Sequence, residues 1–218
     1  MSNLRSGSYG SYYGSFKNES KALTNLEMQA NALYIKNYLL NKSWSIHSIC
    51  ALLGNMQAES SLNPGRWQSD NVGITSSGYG LVQWTPATKY IDWCSEKGLT
   101  DYSEMDSNLA RIVYEVENNI QWIATSDYDL TFTEFTFGIS STGEKVYSLR
   151  TLTEAFLINY ERPADQSNSV KDYRTSLAED WYTYLSGNPI EPNQPTQTNK
   201  KKKYNFLLFN ARKRRQYG

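Results

Sequence analysis

Gly54-Asn55-Met56-Gln57-Ala58-Glu59-Ser60-Ser61-Leu62-Asn63-Pro64 is the stretch on which the reading of this chain turns. It closes a helical pattern. Ile46, Ile49, Leu52, Leu53 and Met56 recur at helical spacing behind Ser45, a good N-cap, so a helix over about 46–60 is predicted, and Asn63-Pro64-Gly65 must end it. Glu59 then stands at the end of an apolar helix. Beyond it, Arg66 to Thr85 is rich in Gly, Ser and isolated aromatics with no helical stripe, which predicts a loop or small hairpin region. A carboxyl held among apolar and aromatic groups has its charged form disfavoured, so it keeps a proton near neutral pH and can hand it to a departing oxygen. An ordinary surface Glu near a helix C-terminus is the alternative that spacing alone leaves open.

Helices surround this stretch on both sides. Thr24 and Glu27 have the spacing of a capping box, and Leu26, Ala30, Leu33, Ile35, Leu39 and Leu40 supply an apolar stripe, which predicts a helix over 25–41. Downstream, Pro86 suits the first turn of a helix stopping before Gly98. Residues 108–124, 149–160 behind Ser148, and 170–186 ending at Gly187 predict three more. The class is therefore α+β, mostly α, with one small irregular or β-hairpin region. Residues 1–23, Ser-, Gly- and Tyr-rich, read as a flexible arm. Residues 24–186 form the body, and 187–199, with three of the six prolines, a linker.

Composition excludes several kinds of chemistry. The 218 residues can bury a core without disulfides or a structural metal. Two Cys and one His are too few for a four-ligand zinc centre, so no metal and no cofactor are expected. Cys50 and Cys94 read as two buried thiols, although a bridge between them is open. His47 and Cys50 lie three apart and could share a helix face, but core-type residues surround them, which argues against a nucleophile pair. No run approaches a membrane span, and Met1 to Ser20 lacks the apolar segment of a cleaved signal peptide. The charge is divided: residues 1–199 carry 14 basic against 22 acidic side chains, and 200–218 carry eight basic and no acidic ones. That basic tail brackets Phe206-Leu207-Leu208-Phe209. It suits docking into an acidic protein socket, with DNA, an anionic wall polymer or a membrane surface as other partners.

A second informative segment is Gly78-Tyr79-Gly80-Leu81-Val82-Gln83-Trp84-Thr85. Gly78 and Gly80 permit close backbone approach. Gln83 offers an amide to sugar hydroxyls or N-acetyl groups, while Tyr79 or Trp84 can lie against a pyranose face. A core position for Trp84 fits equally well. As a nucleotide motif the segment fails, because Gln83 stands where a third glycine is needed.

Gly54 to Pro64 together with Gly78 to Tyr90 resembles the phage tail lysozyme family. These are peptidoglycan-degrading, lysozyme-like domains of tail tips and tail knobs in phages of Gram-positive bacteria. Asn31-Ala32-Leu33-Tyr34-Ile35 with Trp44, and Ala155 through Asn159-Tyr160-Glu161-Arg162-Pro163, extend the resemblance over about 25–186. It implies cleavage of the β-1,4 bond between N-acetylmuramic acid and N-acetylglucosamine, with Glu59 as catalytic acid and Gly80, Leu81 and Gln83 along the cleft. Tyr160 is then a substrate contact on the far wall, or alternatively Glu161 and Arg162 make only a structural ion pair before Pro163 ends the helix. The implied place is the virion, acting at the host cell wall, with phage tail proteins as partners of the basic tail. A lysis enzyme released from within the cell, or a tail-tip structural protein that keeps the fold without turnover, are the other readings. Members of this family often carry a peptidase domain, and none is expected in this chain.

Paired carboxylates decide the chemistry of sugar hydrolysis. Retaining enzymes hold them about 5 to 5.5 Å apart and inverting ones roughly 6.5 to 9.5 Å. Between Ser60 and Ile91 the sole acidic residue is Asp70, which is therefore the candidate second carboxylate; a turn-forming Asp fits as well. Without it, Glu59 acts alone and a lytic transglycosylase, closing the muramic 6-hydroxyl onto C1, becomes the alternative product chemistry.

Overall fold

Thr24 caps the first helix as its spacing requires. Its side chain accepts from the Glu27 backbone N–H, and the Glu27 carboxylate accepts from the Thr24 backbone N–H at 2.8 Å. This is α1, Asn25–Asn41, in a computed structural model that describes residues 3–187. The helix α2, Ile46–Ser60, starts at Ser45, whose hydroxyl accepts from the Ser48 N–H, and runs almost wholly buried through Met56. It ends where Ser61 and Leu62 both turn left-handed, at φ 55°. Leu62 is fully buried, so a strained conformation is paid for by packing under the end of α2.

The described residues 3–14 are not a flexible arm. Asn3–Gly7 (β1) pairs antiparallel with Gly10–Gly14 (β2), and this hairpin lies on α1. Tyr12 is 1% exposed. Asn31 of α1 grips the edge: its Oδ1 accepts from the Tyr13 N–H at 2.7 Å and its Nδ2 donates to Tyr13 O at 2.7 Å. Ser, Gly and Tyr composition alone hid this, because the burial comes from a helix that lies later in the chain. Asn63, just past α2, then ties the two together by accepting from the Ser15 and Gly65 N–H groups and donating to Lys21 O.

Four later helices were expected in outline, and the structure moves their ends. The helix α3 is Thr88–Glu96, two residues beyond Pro86. The next, α4, is Met105–Asn118, shifted towards the N-terminus because Asn119 turns left-handed and stops it. A short α5, Phe132–Phe137, has its own capping box at Thr131 and Glu134 and has no counterpart in the sequence reading. Leu149–Ala155 is α6. It runs directly into a π-helical turn, Phe156–Glu161, closed by a left-handed Arg162. The last, α7, is Asn168–Gly187. One compact unit ends at Leu185 and a second begins at Ser186. The linker and basic-tail readings over 188–218 lie outside the described residues.

Arg66 to Thr85 is irregular, as expected. Its order comes from single bridges of Tyr79 with Trp67 and with Trp84, and from Asn108 of α4. Asn108 accepts from the Leu81 N–H at 3.0 Å, and a Cβ on Gly80 (φ 85°) would stand 2.6 Å from the same oxygen. Gly80 is needed for this approach.

Candidate active site

α2 delivers Glu59 to a cleft of about 310 Å³. Position 54, one and a half turns earlier, fixes what meets it there. A Cβ on Gly54 would lie 2.8 Å from both Ala178 N and Arg174 O, so glycine is required for α7 to pack this closely on α2. That approach brings Arg174 across. Its Nη1 donates to Asn55 O at 2.6 Å and its Nη2 donates to Glu59 Oε1. The Arg174 side chain is 9% exposed and that of Glu59 24%.

Glu161 completes the group. Its side chain is 5% exposed, with Oε2 3.6 Å from the same Arg174 Nη2. Both of its oxygens are shut off from solvent with no partner of ordinary hydrogen-bond geometry, and the Glu59 carboxyl lies within reach of them. The π-helical turn, one residue wider than an α-turn, sets Tyr160 and Glu161 on the cleft. Burial, then the Glu59 charge beside it, push the Glu161 carboxyl well above the usual carboxylate range, while Arg174 pulls the other way. The sequence pointed to Glu59 as the poorly hydrated carboxyl, whereas Glu161 is the deeply buried one. No Glu161–Arg162 ion pair forms: Arg162 Nη1 donates instead to Gln121 O and Asn159 O, both at 2.6 Å.

The remaining expected residues divide. Gln83, Trp84 and Tyr160 line the cleft with Glu59. Gln83 uses its Nε2 to hold Arg66 O and Gly80 O. Trp84 and Tyr160 both lean on Glu115 of α4: the indole Nε1 donates to Oε1 at 3.1 Å, and the phenol donates to Oε2. Arg111 Nε adds a third donor at 2.8 Å. Burial raises the Glu115 carboxyl, against these hydrogen bonds and the Arg111 charge, which lower it. The polar ends of Trp84 and Tyr160 are thus engaged by protein, which fixes their rings.

Tyr79 and Gly80 do not line the cleft. Tyr79 is fully buried, its ring 4.5 Å from Trp67 and stacked on Tyr90, because the flanking bridges turn it inward. Asp70 is also displaced. It sits on a single 3-10 turn, Gln68–Asp70, with its side chain 58% exposed and 3.3 Å from Arg66 Nη1; Gln68 lines the cleft and Asp70 does not. The left-handed Ser69 and Asp70 carry that side chain outward. The thiols are inert: burial pushes Cys50 up to about 12 and Cys94 to about 11, and both are free.

Arg174 and Glu115 were missed, yet each had a signal. Arg174 shares a face with Leu177, Ala178, Trp181 and Leu185, and Glu115 with Met105, Leu109 and Ile112. A charge inside an apolar helical stripe must find a partner, since leaving it buried and unpaired costs several kcal/mol.

A mostly α domain in which one partly accessible glutamate ends an apolar helix, in a cleft closed by a less accessible carboxyl and an arginine, is lysozyme-like in architecture. The phage tail lysozyme family matches residues 30–185, and the chain belongs to it. It is also similar to morphogenesis protein 1 of Bacillus phage B103, at 46% identity over 172 residues. The match covers 79% of this chain and 44% of that protein, so the chain spans less than half of that relative's length. Among the described residues, no helix is long and apolar enough to cross a membrane.

Proposed function

We propose that the domain cleaves the β-1,4 bond between N-acetylmuramic acid and N-acetylglucosamine in peptidoglycan, with Glu59 as the general acid, and that it does so from the phage virion to open the host wall. The observation that carries this is the position of Glu59: the more accessible carboxyl of a cleft walled by Val82 to Thr85 and Tyr160, in a chain of the phage tail lysozyme family. Protonation of the glycosidic oxygen lets the C1–O bond break with its electron pair on the departing sugar. Glu59→Gln keeps shape and loses the acidic proton, so the protein should fold and bind wall polymer while cleavage falls at least about a hundredfold. Clearing of purified peptidoglycan at the wild-type rate would remove the assignment. Detection in purified particles by antibody tests the virion location against a soluble lysis enzyme.

One observation favours a second product chemistry. Of the acidic residues lining the cleft, Glu59 and Glu161, the latter keeps both oxygens away from solvent, so among the described residues no second exposed carboxylate stands ready for attack on C1 or to activate water. This supports ring closure by the muramic 6-hydroxyl, the lytic transglycosylase route. Mass analysis of the products decides: anhydro-sugar ends for that route, reducing ends for hydrolysis.

A further inference from the structure

The geometry points to Glu161 as the proton store for Glu59: a positioning residue that holds the shared proton of a two-carboxyl, one-arginine cluster and passes it to Glu59 as the substrate is cleaved. This rests on the reading of Glu59 as the general acid.

The cluster is built from three elements. Glu59 comes from the end of α2, Glu161 from the π-helical turn after α6, and Arg174 from α7. One guanidinium cannot neutralise two adjacent carboxylates, and the carboxyl that gives up its charge is the one water cannot reach. Glu161 has both oxygens solvent-shielded and Arg174 at 3.6 Å, whereas Glu59 takes the direct guanidinium bond and keeps access to the cleft. Ionising both carboxyls beside one guanidinium is costly, so the resting pair retains one proton between them. The charged groups facing Glu161 are Glu59 and Arg174. Arg162, next in the chain, is turned to Gln121 O and Asn159 O, and Lys89 of α3 stands on the lining of the same cleft. Burial raises the Glu161 carboxyl well above its ordinary range, in agreement with a stored proton.

The step balances. The O–H bond of Glu161 breaks as one forms on Glu59; the Glu59 proton moves to the glycosidic oxygen, and the C1–O electron pair leaves with the departing sugar. Glu161 is left as a carboxylate beside Arg174. The attacking hydroxyl, from water or from the muramic C6, releases one proton, which restores the pair.

Glu161→Gln tests this by keeping the size and the neutral charge while removing the transferable proton. Expected are a folded protein, unchanged binding of wall polymer, and a pH–activity profile whose basic limb moves to lower pH by about one unit or more, a roughly tenfold loss on that limb with activity recovered in acid. A profile reduced equally at every pH, or one superposed on the wild type, overturns the inference. An inactive Glu59→Gln beside an unmoved Glu161→Gln profile rejects the store and leaves the general acid standing; an active Glu59→Gln rejects the general acid itself. Should Glu161→Gln not fold, carbon-13 NMR of glutamate-labelled wild-type protein is decisive. Besides Glu115, which burial also raises, a second side-chain carboxyl must titrate above the ordinary glutamate range and must move down in Glu59→Gln, which lacks the neighbouring charge; the absence of that second signal overturns the proposal.

Discussion

Arg174→Met removes the cation on which both cleft carboxyls depend and keeps most of the side chain's length. Three polar contacts disappear: to Asn55 O, Glu59 and Glu161. Breaking a buried ion pair from one side costs about 3–5 kcal/mol, because the partner charge is left behind. Here Glu59 recovers water at the cleft and Glu161 already holds the shared proton, so the lower end, about 3 kcal/mol near pH 7, is expected. For a domain of this size that lowers the thermal midpoint by roughly 6–12 °C. The cost should depend on pH. In acid, where carboxylates in general take up protons and ion pairing fades, the loss narrows towards the bond to Asn55, about 1 kcal/mol. Urea unfolding of wild type and variant at about pH 4 and about pH 7 reads both quantities. A destabilisation near pH 7 below about 1 kcal/mol, or one equal at the two pH values, would refute the coupling of Arg174 to two carboxyls.

The raised Glu161 carboxyl sets a second pH dependence. A carboxyl raised in the fold contributes stability below its unfolded value, about 4.3, and loses it as pH rises through the folded value. Glu161→Gln should therefore gain stability relative to wild type as pH increases, measured by the same unfolding curves. Tyr12→Ala empties a fully buried site under the N-terminal hairpin and should cost about 3 kcal/mol, read as a lower denaturation midpoint; a change under about 1 kcal/mol would mean that the hairpin is dispensable. Asp70→Asn should leave wall clearing within about twofold and stability within about 1 kcal/mol, since its carboxylate is exposed and its pairing with Arg66 is screened by solvent. A large loss of cleavage would return Asp70 to the site.

Local chemistry made α1 and α2 legible. A capping box, a Ser cap, an apolar stripe and Asn63-Pro64-Gly65 each act within a few residues, so their consequence can be read in order along the chain. The π-helical turn could not be read that way. Phe156 to Glu161 continues an apolar helical pattern along the chain, and the wider turn stands where these residues pack on α2 and Tyr160 reaches Glu115 of α4. Tyr79 shows the same limit: a tyrosine between two glycines fits a sugar or a core equally well, and the bridges to Trp67 and Trp84 chose the core.

By itself the sequence determined a mostly helical domain, an irregular stretch after α2, and a glutamate at the junction of the two. The tertiary structure decided which groups share that glutamate's surroundings. Arg174 lies 115 positions away along the chain, and it meets Glu59 because Gly54 has no side chain to keep α7 off α2. Proton affinity is set by burial and by neighbouring charge. Both are properties of residues brought together from distant parts of the chain, so whichever carboxyl holds the proton is fixed by the fold.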